Sequence, residues 1–142
     1  MLKKSMLLIT SLLALSFVAC SNADIQKDTS NASLENTYWK AMSFYDTDIK
    51  ATNKEAYINF EKNASVNGSL GCNNFFGTFK IDEKNISFSK MGSTRMLCKD
   101  MKTEYYFSKV LHDTKKYEIK GKTLNFFNDK DKKISTFKAV YF

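Results

Sequence analysis

The sequence predicts an α+β domain in which a small antiparallel β-sheet curls around one main helix. Three observations carry this reading. Apolar residues recur at every second position in several short runs, the period of a half-buried strand. The period changes once, over residues 101–111, to helical spacing. The chain of 142 residues holds 12 Phe, 7 Tyr and 1 Trp, enough apolar surface to bury a core and to exclude a disordered chain. Proline is absent and glycine numbers five, which excludes collagen-like and Pro-rich spacers.

The first element is an address. Met1-Leu-Lys-Lys is a short basic start, and Ser5 to Val18 follows without a charge. That run is shorter than the about 20 residues that span a bilayer and has the proportions of a signal-peptide core. It ends in Phe17-Val18-Ala19-Cys20, which resembles the lipobox of bacterial lipoproteins, although Phe17 stands where the usual pattern has Leu. The resemblance implies a signal peptide over 1–19, cleavage before Cys20, and acylation of Cys20. Several acyl chains hold a protein on a bilayer stably where one does so only marginally. The alternative is an ordinary signal peptide cut near Ala19 or Ala23. Ser21 after the Cys favours the outer membrane by the sorting rule of lipoproteins, with the domain facing the periplasm. Residues 20–36 are small and polar and read as a lipidated tether.

The domain then occupies 37–142. Tyr38 to Tyr45 opens it as an aromatic-rich run. Ala56, Ile58 and Phe60 alternate, and Val66, Gly68 and Leu70 continue the period, with Lys62-Asn63-Ala64 the better-centred turn although Asn67-Gly68 is itself a hairpin signal. Phe75, Gly77, Phe79 and Ile81 form the next run, Asp82 to Asn85 a polar turn, and Ile86 and Phe88 the strand after it. Asp100 is placed to cap a helix through its carboxylate, followed by Tyr106, Phe107, Val110 and Leu111 on one face. Three strands close the chain: Tyr117–Lys120, Thr123–Phe127 and Ser135–Phe142, joined at Gly121-Lys122 and Asn128–Asp131. The expected core is Ile58, Phe60, Leu70, Phe79, Ile81, Phe88, Phe107, Leu111, Ile119, Leu124 and Phe126.

Two segments go beyond pattern: Gly71-Cys-Asn-Asn-Phe-Phe-Gly-Thr-Phe79 and Met91-Gly-Ser-Thr-Arg-Met-Leu-Cys98. With Asn36-Thr-Tyr-Trp-Lys40 upstream and Met101, Glu104 and Phe107 downstream, they resemble the META domain, the family of the heat-shock protein HslJ. The resemblance spans roughly 36–140. It implies a small antiparallel sheet or cracked barrel with a helix, and an association with envelope stress. It carries over no catalytic residue.

Cys72 and Cys98 remain once Cys20 is lipidated. An exported chain sits in an oxidising compartment, so a Cys72–Cys98 disulfide is expected. Two reduced buried thiols, or one functional thiol, are the alternatives. No CxxC occurs and His112 is the single histidine, so no metal site is expected. Arg95 is the single arginine; it suits a carboxylate pair or backbone carbonyls near a strand end, and less often an anionic ligand. Asn73 and Asn74 are expected to hydrogen-bond local backbone in a bend. Ser93 and Thr94 lack a neighbouring base for nucleophilic work, and His112 reads as a solvated helix-end residue. Asn63 and Asn85 lie in Asn-x-Ser sequences with Glu two residues before them, which makes both candidate glycosylation sites in turns.

The net charge of +7 raises nucleic acid as a partner. An exported chain with one arginine argues against it, and attraction to anionic envelope surfaces needs no specific site. The expected function is therefore a non-enzymatic, monomeric envelope lipoprotein without a cofactor, anchored to the membrane by lipid. It acts as an accessory or stress-response factor that binds an apolar ligand or an unknown envelope protein. The alternative is a pilot-like or scaffold protein of an envelope assembly. A large dry pocket between sheet and helix favours the ligand; a filled core with an exposed apolar patch favours the protein partner; a buried ionisable cluster in a cleft favours an enzyme.

Overall fold

The computed structural model describes residues 30–50 and 54–142. The signal peptide, Cys20 and the first part of the tether lie outside the described residues. Nine strands and one helix follow in the order β1 (Tyr38–Phe44), β2 (Thr47–Asp48), β3 (Tyr57–Phe60), β4 (Ser65–Ser69), β5 (Asn74–Asp82), β6 (Asn85–Ser93), α1 (Lys102–Asp113), β7 (Lys116–Lys120), β8 (Thr123–Phe127) and β9 (Lys133–Val140). The expectation of an α+β cracked barrel is overturned. The molecule is mostly β: all nine strands join one antiparallel sheet, and one helix of 12 residues accompanies it. The helix gives the core only Phe107, Val110 and Leu111 and forms no second layer of helices, which is what an α+β architecture requires.

The strand order is β2-β1-β3-β4-β5-β6-β7-β8-β9, and β1 also pairs with β9, so the sheet returns on itself as a ring. Trp39 registers with Ile58 on one side and with Ala139 on the other. The joins around the ring are unequal. β5 and β6 pair along almost their full length, whereas β6 and β7 share one register position, Asn85 with Lys116.

Local chemistry explains the turns. Tyr45 and Asp46 both take positive φ between Phe44 and Thr47, the backbone of a two-residue hairpin. The β3–β4 turn falls at Lys62–Ala64 as expected, with Ala64 at φ 62° and the Asn63 carboxamide oxygen accepting the Ser65 N–H at 3.1 Å. The competing Asn67-Gly68 lies inside β4. Gly68 is there for clearance, since a Cβ would sit 2.1 Å from the Tyr57 carbonyl oxygen and 2.7 Å from the Phe75 ring. Asp100 Oδ1 accepts the Lys102 N–H at 2.8 Å, one residue ahead of the N-cap position, which Met101 occupies.

The ring encloses aromatic side chains. Phe60, Phe107, Phe126 and Phe137 are fully buried, and Phe126 lies between Phe60 (6.5 Å between centroids) and Phe137 (5.2 Å). Eight of the eleven expected core residues are buried; Ile81, Phe88 and Ile119 are half-buried and pack against the cluster. Trp39, Phe44, Ile134 and Phe137 join them. Of the stretch read as tether, residues 31–36 are fastened to the domain. Trp39 Nε1 donates to Leu34 O at 2.9 Å, Ala32 N to Gly121 O at 2.8 Å, and Glu35 bridges to Phe60.

Candidate functional site

The two distinctive segments meet at the start of α1, and Asn73 joins them. Its side chain is buried and fully bonded. Asn73 Nδ2 donates to the Met96 carbonyl at 2.9 Å and to the Glu104 carboxylate at 3.0 and 3.1 Å. Asn73 Oδ1 accepts from Thr94 Oγ1 at 2.7 Å and from the Met96 N–H at 2.6 Å. The Asn73 N–H completes the set by donating to Glu104 Oε2 at 2.9 Å. Expected to bind local backbone, Asn73 instead ties three distant segments together, because burial in the bend turns its amide toward the 94–96 loop and the helix. Glu104 belongs to the motif, but nothing beside it in sequence assigns it a role. Its place in the first helical turn, where a carboxylate also suits the helix dipole, was the available signal.

The Cys72–Cys98 disulfide closes the same junction, with 6.1 Å between Cα atoms. Thr94 spends its hydroxyl proton on Asn73, and its Oγ1 accepts the Asn74 N–H at 3.2 Å. No base stands beside it in these bonds. Among the described residues no group of three or more His, Cys, Asp or Glu could hold a metal ion.

The junction projects a short apolar loop. Met96 is exposed and Leu97 is 93% exposed. Arg95 beside them is exposed and makes no ion pair or hydrogen bond among the described residues, contrary to the expected carboxylate or carbonyl partner. Glu104, the carboxylate held at this junction, is bonded to Asn73.

Beside this loop lies an open groove of about 720 Å³ between β6 and α1. It exists because β6 runs past its single register position with β7, leaving a gap that the helix only partly covers. Leu70, Phe75, Phe88 and Leu111 line its apolar part, Phe76 and Met91 its margin, and Ser87 and Ser108 add hydroxyls. Phe76 lies across β6 on Gly92, where a Cβ would stand 2.7 Å from its ring. Arg95, His112 and Lys115 are the basic residues of the lining, which contains no Asp or Glu. His112 is exposed, with Nδ1 3.0 Å from Asp113 Oδ1, and the Arg95 and Lys115 side chains make no ion pair or hydrogen bond among the described residues.

Two ionisable clusters stand apart from the Asn73 junction, one at the end of α1 and one between β1 and Glu55. Donors from His112, Lys109 and Tyr45 hold the Asp113 carboxyl well below its ordinary range. Burial and the bond to Asp113 push the Tyr45 phenol above its usual value. Lys40 and Tyr38 likewise lower Glu55. Of the candidate glycosylation residues, Asn63 is exposed in the β3–β4 turn, and Asn85 is exposed but opens β6 rather than lying in the turn before it.

The META domain family model matches residues 32–141. Two solved structures share the fold. A protein solved by NMR has a TM-score of 0.61 at 18% identity, covering 75% of this chain and 94% of its own. A second NMR structure, of a protein from Burkholderia xenovorans, has a TM-score of 0.61 at 18% identity and covers 77% and 85%. No curated protein matches the chain.

Proposed function

The chain belongs to the META domain family, and on that premise we propose that it is a non-enzymatic envelope lipoprotein whose domain is a binding module for a protein partner. One observation carries this reading: the Asn73–Glu104 junction and the disulfide hold an exposed apolar loop, Met96 and Leu97, beside an apolar groove with unpaired cations. Apolar side chains fixed outward in this way cost solubility, which a binding role offsets. The ring interior is occupied by aromatic side chains, which supports a partner on the surface over a ligand inside the ring. The motif hydroxyls and amides are engaged with one another, which supports a structural role for them over a catalytic one.

The address proposed with this function is the outer membrane, through acylated Cys20, with the domain in the periplasm as an accessory or stress-response factor. A photocrosslinking residue at Leu97 in intact cells tests the binding role. The expected result is a discrete adduct that is absent when the same residue replaces exposed Lys130; equal labelling from both positions refutes it. Globomycin treatment tests the anchor: precursor accumulates if Cys20 is the lipidation site. Normal processing in a Cys20→Ser variant refutes that.

A further inference from the structure

We propose that the free flank of β6 receives an extended, acidic segment of a partner protein as an added strand, with Arg95 and Lys115 pairing with its carboxylates. This rests on the reading of the domain as a binding module and names the class of partner. The backbone supplies the first argument. Ile86 N–H, which points away from β5, donates to Lys115 O at 2.9 Å, and Tyr117 N–H donates to Lys84 O at 3.0 Å. There the β6–β7 pairing ends. Backbone groups alternate sides along a strand, so Phe88 presents its N–H and C=O to the same flank as Ile86, with no strand to meet them among the described residues. Such a flank is a template for another chain.

The side chains supply the second argument. An added strand sends alternate residues to opposite faces. One set reaches the apolar lining at Phe88 and Leu111; the other passes toward the rim. The lining holds Arg95 and Lys115, unpaired among the described residues, and no carboxylate, so an acidic segment gains attraction where a basic one meets repulsion. The site also has a built-in length. Lys90 takes φ 52° at a bulge where the β5–β6 register shifts, which ends the regular edge after Ser89. The Ile86 N–H is already held by Lys115, so the added strand pairs between the Ile86 C=O and Ser89, chiefly through the Phe88 N–H and C=O. An acyl chain in the same groove would leave the Phe88 amide without a partner.

The test uses the intact chain in detergent micelles and a displayed library of random 12-residue peptides. Enriched peptides are expected to combine Asp or Glu with alternating apolar residues. N-methylation of the best peptide should weaken binding by about tenfold at alternate residues and little at those between, the signature of lost backbone bonds on one edge. Arg95→Glu should weaken it at least as much, and among the described residues Arg95 has no partner whose loss would confuse the result. Binding should also slow exchange of the Phe88 amide proton. Enriched peptides that tolerate N-methylation at every residue, or that leave Phe88 exchange unchanged, overturn strand addition. Failure to enrich any peptide overturns it as well. The wider module reading falls separately, if crosslinking from Leu97 in intact cells yields no adduct beyond that from Lys130.

Discussion

Replacing Asn73 with alanine should be among the most damaging single changes in the domain. The side chain makes bonds to Met96 N–H, Met96 O, Thr94 Oγ1 and the Glu104 carboxylate, all between 2.6 and 3.1 Å. A neutral bond contributes about 1 kcal/mol net and one to a charged group about 1.5–3 kcal/mol. Met96 and Thr94 are exposed and recover some bonding with water, which lowers the total. Glu104 is half-buried and retains only the Asn73 backbone N–H. The expected loss is about 3–5 kcal/mol, a large share of the roughly 5–15 kcal/mol of a typical domain. Asn73→Asp is the sharper variant, because it sets a carboxylate against Glu104 and the Met96 carbonyl. Mutual repulsion favours a bound proton in the folded state. Relative to the parent, the variant should therefore lose least in acid and progressively more as pH rises through the range where the two carboxyls ionise. Trp39, the single tryptophan and fully buried, reports unfolding in urea without a label. A loss below about 1 kcal/mol for Asn73→Ala, or an Asn73→Asp variant no more sensitive to rising pH than the parent, would refute the assignment of the junction to this network.

Four further outcomes follow from other parts of the fold. Replacing Cys72 and Cys98 together with serine opens a loop with a sequence separation of 26 and should cost roughly 3.5 kcal/mol in the loop-entropy model, read as a lower urea midpoint; an unchanged midpoint contradicts it. Phe107→Ala removes a buried ring packed against Phe44, Phe75 and Phe137 and should cost about 3–5 kcal/mol; less than about 1 kcal/mol would mean that the helix does not seal the core. Asp113 has a lowered pKa, so its contribution is present above the ordinary carboxylate range and lost as pH falls; Asp113→Asn should be less stable than the parent at neutral pH and match it in strong acid, and an equal gap at both refutes this. Ser135 Oγ is buried without a hydrogen-bond partner, so Ser135→Ala should be neutral or about 1 kcal/mol stabilising, and clear destabilisation would reveal a bond to that hydroxyl.

Hairpins were the legible part of this sequence, because alternation and turn chemistry act over a few residues. Val66, Gly68 and Leu70 share one face, and that alternation placed the β3–β4 turn correctly against the stronger dipeptide signal. β2 escaped because two exposed residues carry no period. The reach of β6 to Ser93 escaped because the Lys90 bulge breaks the alternation after Phe88. Fold class failed for a different reason. One amphipathic stripe announces a helix but not how small a share of the core it fills, and the β1–β9 closure depends on positions at opposite ends of the chain. At the site, the cysteine pair followed from counting and compartment. The Asn73–Glu104 link did not, since side-chain bonds across the fold leave no local pattern.

The closure of β9 onto β1 makes the order of synthesis matter. A chain that emerges from its amino end has β1 early, yet Trp39 and Phe44 gain their neighbours on one side only when Ala139 and Ser135 arrive. Until then β1 has one sheet partner of four residues and the two-residue β2. The domain therefore cannot complete its sheet from a partial chain. Its folding is held back until the last strand is free, and a truncation that removes β9 should leave an open, adhesive sheet instead of a smaller folded one.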